Sequence, residues 1–238
     1  MNKIIVANQK NYMDVKSVSN YLNVIKDKVD SENVVICPSS IYLPYFLKNN
    51  FKVGLQNINL SDVTCTGEIT TKQAYNIGVS YVIVGHSERR IYLNENNKLF
   101  HDKIKDATHY GLKVIFCIGE TLEERKHHKT KKVLKNQIVD VLKNINDLSN
   151  IIIAYEPVWA IGTNVIPTDE DIEKSVNYIK QVVKKYVTEL DIKVLYGGSV
   201  SSKNIEQLNQ IPNLSGFLIG KASTDANEFL NILEVVSN

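Results

Sequence analysis

The sequence predicts one α/β domain closed as a (β/α)8 barrel. Two observations carry this reading. Eight short apolar runs recur along 238 residues, and segments of helical character lie between most of them. Parallel strands joined by crossover helices produce such an alternation, and eight repeats in this length point to a closed barrel rather than an open doubly wound sheet. The open sheet shares the alternation, because periodicity does not report closure. A hydrophobic content of 43% can fill a substantial core. No shift of composition and no Pro/Gly/Ser-rich linker divides the chain, so residues 1–238 read as a single domain.

The first run, Ile4 to Ala7, starts close behind Met1, with no apolar leader region or cleavage site before it. Asn8-Gln9-Lys10 follows and sets a lysine just beyond buried sequence. Ser17 to Val29 spaces Val18, Leu22, Ile25 and Val29 as one apolar helical stripe. The next runs are Val34 to Cys37, Val53 to Gln56 and Tyr81 to Val84, the last followed by Gly85-His86-Ser87-Glu88-Arg89-Arg90 at the start of a helical turn. Val114 to Ile118 leads to Thr121-Leu-Glu-Glu124, whose hydroxyl-then-acid spacing marks a helix start. Ile151 to Tyr155 is wholly apolar, as in a strand buried on both faces, and ends at Glu156. Thr168-Asp-Glu-Asp171 marks another helix start. Beyond it Ile172, Val176, Ile179, Val183 and Tyr186 form a stripe running to Val187. Val194 to Tyr196 and Phe217 to Ile219 complete the eight.

Composition excludes several function classes. The formal net charge is +2, with scattered positive residues, so neither nucleic acid nor a membrane surface is an expected partner. The dense mixed run Glu123 to Lys132 reads as a solvated helix face. Three cysteines, Cys37, Cys65 and Cys117, lack paired spacing. They predict reduced thiols in a cytoplasmic compartment, and no metal motif accompanies them. No stretch approaches membrane-spanning length.

In a barrel of this kind, chemistry collects at the carboxyl ends of the strands. Lys10, His86 and Glu156 follow the first, fourth and sixth runs, which brings an ammonium, an imidazole and a carboxylate to one rim. Singly, each has a bland reading as a solvated charge, a capping group or an ion-pair partner. Together they suit abstraction of a proton next to a carbonyl: Glu156 as base, His86 polarising the carbonyl oxygen or shuttling protons, Lys10 offsetting enediolate charge. Pro157 biases Glu156 away from helix. Val158 to Val165 is uncharged and lacks helical periodicity, a mobile apolar lid beside the carboxylate. Tyr196-Gly197-Gly198-Ser199 and Gly220-Lys221-Ala222-Ser223 offer backbone amides to a phosphate after the seventh and eighth runs, although each is equally a tight turn when taken alone.

These residues, in order, resemble the triosephosphate isomerase family. The motifs are Asn8-x-Lys10, Gln56-Asn57, Thr66-Gly67-Glu68, Val84-Gly-His-Ser-Glu-Arg-Arg90, Cys117-Ile-Gly-Glu-Thr121, Tyr155-Glu-Pro-Val-Trp-Ala-Ile-Gly-Thr163 and Tyr196-Gly-Gly-Ser-Val200. The resemblance implies a TIM barrel that interconverts dihydroxyacetone phosphate and D-glyceraldehyde 3-phosphate. It implies no cofactor or metal, and a cytoplasmic homodimer serving glycolysis and gluconeogenesis. It implies Glu156 as catalytic base, His86 as neutral electrophile, Lys10 as essential cation and Asn8 as a substrate-positioning amide. The neutral histidine at a helix N-terminus and the closing lid are established features of that family. By the same resemblance Glu88 pairs with Lys10, while Gly162, Ser199, Gly220 and the Lys221 amide hold the phosphate. Thr66-Gly67-Glu68 is similar to the loop that reaches into the partner subunit and braces its Asn8 and Lys10.

Two departures stand out, apart from Gln9 where an aromatic is common. After Thr163 the family commonly continues Gly-Lys-Thr-Ala, whereas this chain reads Asn164-Val165-Ile166-Pro167. Pro167 restricts Ile166, so a changed hinge with altered closing kinetics and surviving chemistry is expected. Lys221 stands where a second glycine is frequent, and its ammonium can face inward or outward. Cys65 lies in the expected interface loop, where modification would affect the dimer. Two other readings compete. Another phosphate-binding barrel isomerase would share the glycine loops but does its acid-base work with aspartates on other strands. A catalytically silent barrel used for binding or adhesion would be expected to lose a member of the constellation, and this chain keeps all of them.

Overall fold

The computed structural model describes residues 3–29, 32–161, 167–187 and 190–237. Its strands are β1 (Ile4–Asn8), β2 (Val34–Cys37), β3 (Lys52–Leu55), β4 (Tyr81–Val84), β5 (Lys113–Ile118), β6 (Ile151–Tyr155), β7 (Lys193–Tyr196) and β8 (Gly216–Ile219). Each pairs in parallel with its neighbours in sequence order, and β8 closes on β1 with Ile5 opposite Phe217 and Ala7 opposite Ile219. The barrel is therefore closed, and the open sheet is excluded.

Strand alternation explains what reaches the mouth of the barrel. Ile4, Val6, Ile152, Ala154, Leu195 and Leu218 pack inside it, while Ile5, Ala7, Ile151 and Ile153 face the helices. Continuing the inward register past the strand ends carries Asn8, Glu156, Gly197 and Gly220 onto the interior side of the carboxyl rim. Gly54 takes the inward place on β3. A Cβ there would meet Cys37 Sγ at 2.5 Å and Tyr81 Cβ at 3.2 Å, so glycine relieves crowding inside the barrel.

The described helices are α1 (Val15–Ile25), α2 (Leu43–Leu47), α3 (Thr71–Asn76), α4 (Ser87–Tyr92), α5 (Asn97–His109), α6 (Leu122–Lys126), α7 (Thr130–Leu142), α8 (Asp169–Lys184), α9 (Ile205–Asn209) and α10 (Ala226–Ser237). α1 buries Val18, Leu22 and Ile25 as its stripe requires, each such side chain contributing about 1.5–3 kcal/mol. It starts earlier than the stripe, because Asp14 and Ser17 form a reciprocal cap, and it ends at Ile25. Val29 packs on the core from beyond the helix. Thr121 caps α6 with Glu124 reciprocating, and Thr168 accepts the Asp171 amide at the start of α8.

Two expectations about helices need correction. The stripe toward Val187 overruns α8, and Tyr186 is 54% exposed. The charged run Glu123 to Lys132 is solvated but is not one helix. His128 adopts φ 55° between α6 and α7 and turns the chain there. The left-handed region breaks a helix, and no glycine or proline announces this one.

All three cysteines are free; Cys37 and Cys117 are buried and Cys65 is exposed. Among the described residues no helix is long and apolar enough to cross a membrane.

Candidate active site

The barrel mouth opens into a cavity of about 1060 Å³ whose lining includes Asn8, Lys10, His86, Glu156, Ser199, Gly220 and Lys221. The predicted base, imidazole and ammonium thus share one space. Glu156 is 3% exposed. Its Oε1 lies 3.2 Å from His86 Nε2, and its Oε2 accepts the Ser87 amide at 3.4 Å. Its backbone is pinned by donation from its own amide to Ile118 O at 2.7 Å. Burial pushes the Glu156 carboxyl upward. The adjoining His86 and the Ser87 amide outweigh that, and the net direction is downward. The carboxylate is ionised at neutral pH and ready to accept a proton.

His86 caps α4, and its Nδ1 accepts the Glu88 amide at 3.3 Å. An accepting Nδ1 leaves the neutral ring's proton on Nε2, the atom that faces Glu156. Burial disfavours the imidazolium, but the charges of Glu156 and Glu88 reverse the balance and hold the ring more basic than usual. The two groups titrate as a unit. Without the Glu156 charge, burial and the Lys10 charge would favour neutral His86 against the remaining Glu88 charge.

Lys10 sits at φ 48°, a strained position for a residue with a side chain. Gln56 explains how it is held: its Nε2 donates to Lys10 O at 2.8 Å and to Cys37 O at 2.9 Å. Asn8 Oδ1 accepts the Lys10 amide at 3.2 Å. The ammonium pairs with Glu88 at 2.5 Å, as the resemblance implies.

Several residues that the sequence shows only as members of motifs support Glu156 and its surroundings in ways their motifs do not disclose. Gly119 and Gly197 make the room that Glu156 occupies. A Cβ on Gly119 would fall 1.7 Å from Glu156 O, and one on Gly197 would fall 2.8 Å from Glu156 Cγ. Arg90 braces the turn at Gly85, donating to Gly85 O at 2.9 Å and to Cys117 O at 3.1 Å. Glu120 is fully buried and accepts from Trp159 Nε1 at 2.9 Å and from the Tyr155 hydroxyl at 3.2 Å. Burial raises its carboxyl, and these donors together with Arg125 only partly counter that. Glu120 thereby anchors the first residues of the segment expected to form the lid. The lid begins as a short 3-10 turn, Val158–Ala160, rather than irregular chain, and the Ser199 hydroxyl donates to Ala160 O at 2.8 Å. Gly162 and the hinge residues Asn164, Val165 and Ile166 lie outside the described residues; Pro167 is buried.

The glycine loops after β7 and β8 face each other across the cavity. Among the described residues, the amides of Gly198, Ser199, Gly220 and Lys221 donate to no protein acceptor. The Lys221 φ is not positive, so its amide can donate as glycine's would. Thr66, Gly67 and Glu68 stand exposed, Gly67 at φ 88° with open space around it. Among the described residues no group of three or more His, Cys, Asp or Glu side chains is arranged to hold a metal.

Comparison with known proteins agrees with this geometry. The family model described as triosephosphate isomerase matches residues 3–236. The chain is 38% identical to the triosephosphate isomerase of Thermodesulfovibrio yellowstonii, over 98% of each chain. It is 37% identical to that of Alkaliphilus oremlandii and 39% identical to that of Clostridium botulinum (strain ATCC 19397 / Type A), in each case over 97% of this chain and 98% of the relative. Agreement across almost the whole of both chains leads to one conclusion: the chain belongs to the triosephosphate isomerase family.

Proposed function

We propose that the protein interconverts dihydroxyacetone phosphate and D-glyceraldehyde 3-phosphate through an enediolate, with Glu156 as base. The observation that carries this reading is the contact between the buried Glu156 carboxylate and His86 Nε2, 3.2 Å apart at the barrel mouth. Glu156 rotates off the Ser87 amide and takes the proton from the carbon beside the carbonyl. The electrons left behind form the carbon–carbon double bond, and the carbonyl oxygen gains the negative charge. The His86 Nε2–H, freed from Glu156, donates to that oxygen, and the Lys10 ammonium offsets its charge. His86 hands its Nε2 proton to that oxygen and takes up the proton of the hydroxyl on the adjoining carbon, so that hydroxyl and carbonyl exchange places, and Glu156 returns its proton to the former carbonyl carbon. Asn8 positions the substrate, and the amides of Ser199, Gly220 and Lys221, with Gly162, hold the phosphate.

The family assigns such enzymes to glycolysis and gluconeogenesis, and a cytoplasmic homodimer without cofactor or metal is the form we propose. Support for the dimer comes from the exposed loop at Thr66, Gly67 and Glu68 and from the exposed apolar side chains Val63, Tyr75 and Ile77 near it. A polar pocket of about 210 Å³ beside Asn8, Lys10 and Gln56 could receive that loop from a second copy. Sedimentation of the intact protein tests this, and a monomer retaining full activity would overturn it.

Running the reaction in D2O tests the chemistry. Proton transfer through an exchangeable carboxyl leaves deuterium in a fraction of the dihydroxyacetone phosphate, read by proton NMR. Product wholly free of deuterium would point to hydride migration and sink the proposal.

A further inference from the structure

We propose that the Lys221 side chain is a second cation for the substrate phosphate and makes the site selective for anionic substrates; this rests on the reading of the cavity as a triose phosphate site. The argument starts from charge. The cavity needs to hold a dianion, yet its buried catalytic group, Glu156, is itself negative. Lys10 is already matched by Glu88 at 2.5 Å. Two further carboxylates, Asp225 and Glu228, line the outer wall. The Asp225 side chain accepts the Asn227 and Glu228 amides, and Glu228 accepts the Ser202 amide and hydroxyl. Amides alone would therefore bind phosphate in a field that these acids make unfavourable.

Lys221 is placed to change that. It opens the short 3-10 turn Lys221–Thr224 directly after Gly220, and a methyl built on Gly220 would sit 3.8 Å from Lys10 Cε. The turn thus begins alongside the catalytic lysine. Lys221 is exposed and is one of the residues that line the cavity, and among the described residues its side chain forms no ion pair. Its amide is also unpaired. A flexible four-carbon stem lets its ammonium fold toward an anion held by its own backbone. Lys203 is the other lysine on the outer wall without an ion pair among the described residues, and it serves as the comparison.

The experiment compares wild type with Lys221→Ala, Lys221→Gln and Lys203→Ala, using glyceraldehyde 3-phosphate, phosphate-free glyceraldehyde and inhibition by inorganic phosphate. An exposed charge pair predicts that Lys221→Ala raises KM for the phosphorylated substrate and Ki for inorganic phosphate together, by about two- to fivefold. Lys221→Gln follows Lys221→Ala, because charge rather than length matters, and both flatten the fall of kcat/KM with added salt. The effect on glyceraldehyde is several-fold smaller. Equal losses on both substrates, an unchanged Ki, or an effect confined to Lys203→Ala would each overturn the assignment. Wild type that fails to turn over glyceraldehyde 3-phosphate would instead defeat the underlying functional reading.

Discussion

Replacing Gly197 by alanine should disable catalysis while leaving the barrel folded. The added Cβ would meet Glu156 Cγ at 2.8 Å, with Oε1 and Cδ at 3.5 and 3.6 Å. Ordinary contact begins near 3.4 Å, so Cγ must retreat by about 0.6 Å. The Glu156 backbone cannot absorb the shift, because Gly119 packs directly against its carbonyl and its amide is bonded to Ile118. The carboxylate must move instead, away from the position set by His86 and Ser87. Misplacing a reacting group by about 1 Å costs on the order of 10²-fold in rate. A shift of this size predicts a kcat lower by about 10- to 100-fold, with a stability loss of about 1–3 kcal/mol from overpacking. Steady-state assays beside a denaturant melt separate the two. Gly54→Ala is the control, because its Cβ crowds Cys37 and Tyr81 inside the barrel; it should lose stability and keep its rate per folded molecule. A Gly197→Ala protein within twofold of wild-type kcat would refute the claim that Glu156 depends on that gap.

Three further outcomes follow from the same geometry. Gln56→Leu strands the Lys10 carbonyl and leaves the Cys37 carbonyl with the Gln9 amide as its donor; about 1–3 kcal/mol of stability should be lost, and KM should rise as the left-handed Lys10 relaxes, whereas an unchanged KM would mean that Lys10 holds itself. Removing the Glu156 charge should make His86 less basic, since burial then dominates; an NMR titration of the ring in Glu156→Gln that matches wild type would show the pair to be uncoupled. Glu120 has a folded pKa raised by burial, so its favourable contribution is present below the ordinary carboxyl pKa of 4.5 and is lost as pH rises through the folded value. The melting temperature of Glu120→Gln relative to wild type should therefore improve between about pH 4 and pH 7; a constant difference would contradict the burial argument.

What the sequence discloses and what it hides divides along physical lines. Local signals were legible: the Thr121 and Thr168 caps each act within one turn, and the apolar run before Glu156 marks a strand with a carboxylate just past its end. The side on which Glu156 emerges was not, because strands buried on both faces show no alternation, and only the closed register reveals that residues 152, 154 and 156 look inward. Long-range fit was equally hidden. Nothing in Gly119, Gly197 or Gln56 announces that they shape the space around Glu156 or hold Lys10 in a left-handed conformation. Apolar spacing also overstates helices, as at Tyr186, because a stripe continues past the point where the backbone stops obeying it.

The most direct test of the account is turnover of glyceraldehyde 3-phosphate in a coupled assay, with wild type beside Glu156→Gln and both shown to be folded. The account predicts robust wild-type activity and a fall of at least about 10²- to 10⁴-fold in the variant, the range expected for a lost general base. A variant that retains activity near wild type would contradict Glu156 as the base, and a folded wild type without turnover would contradict the proposed reaction itself.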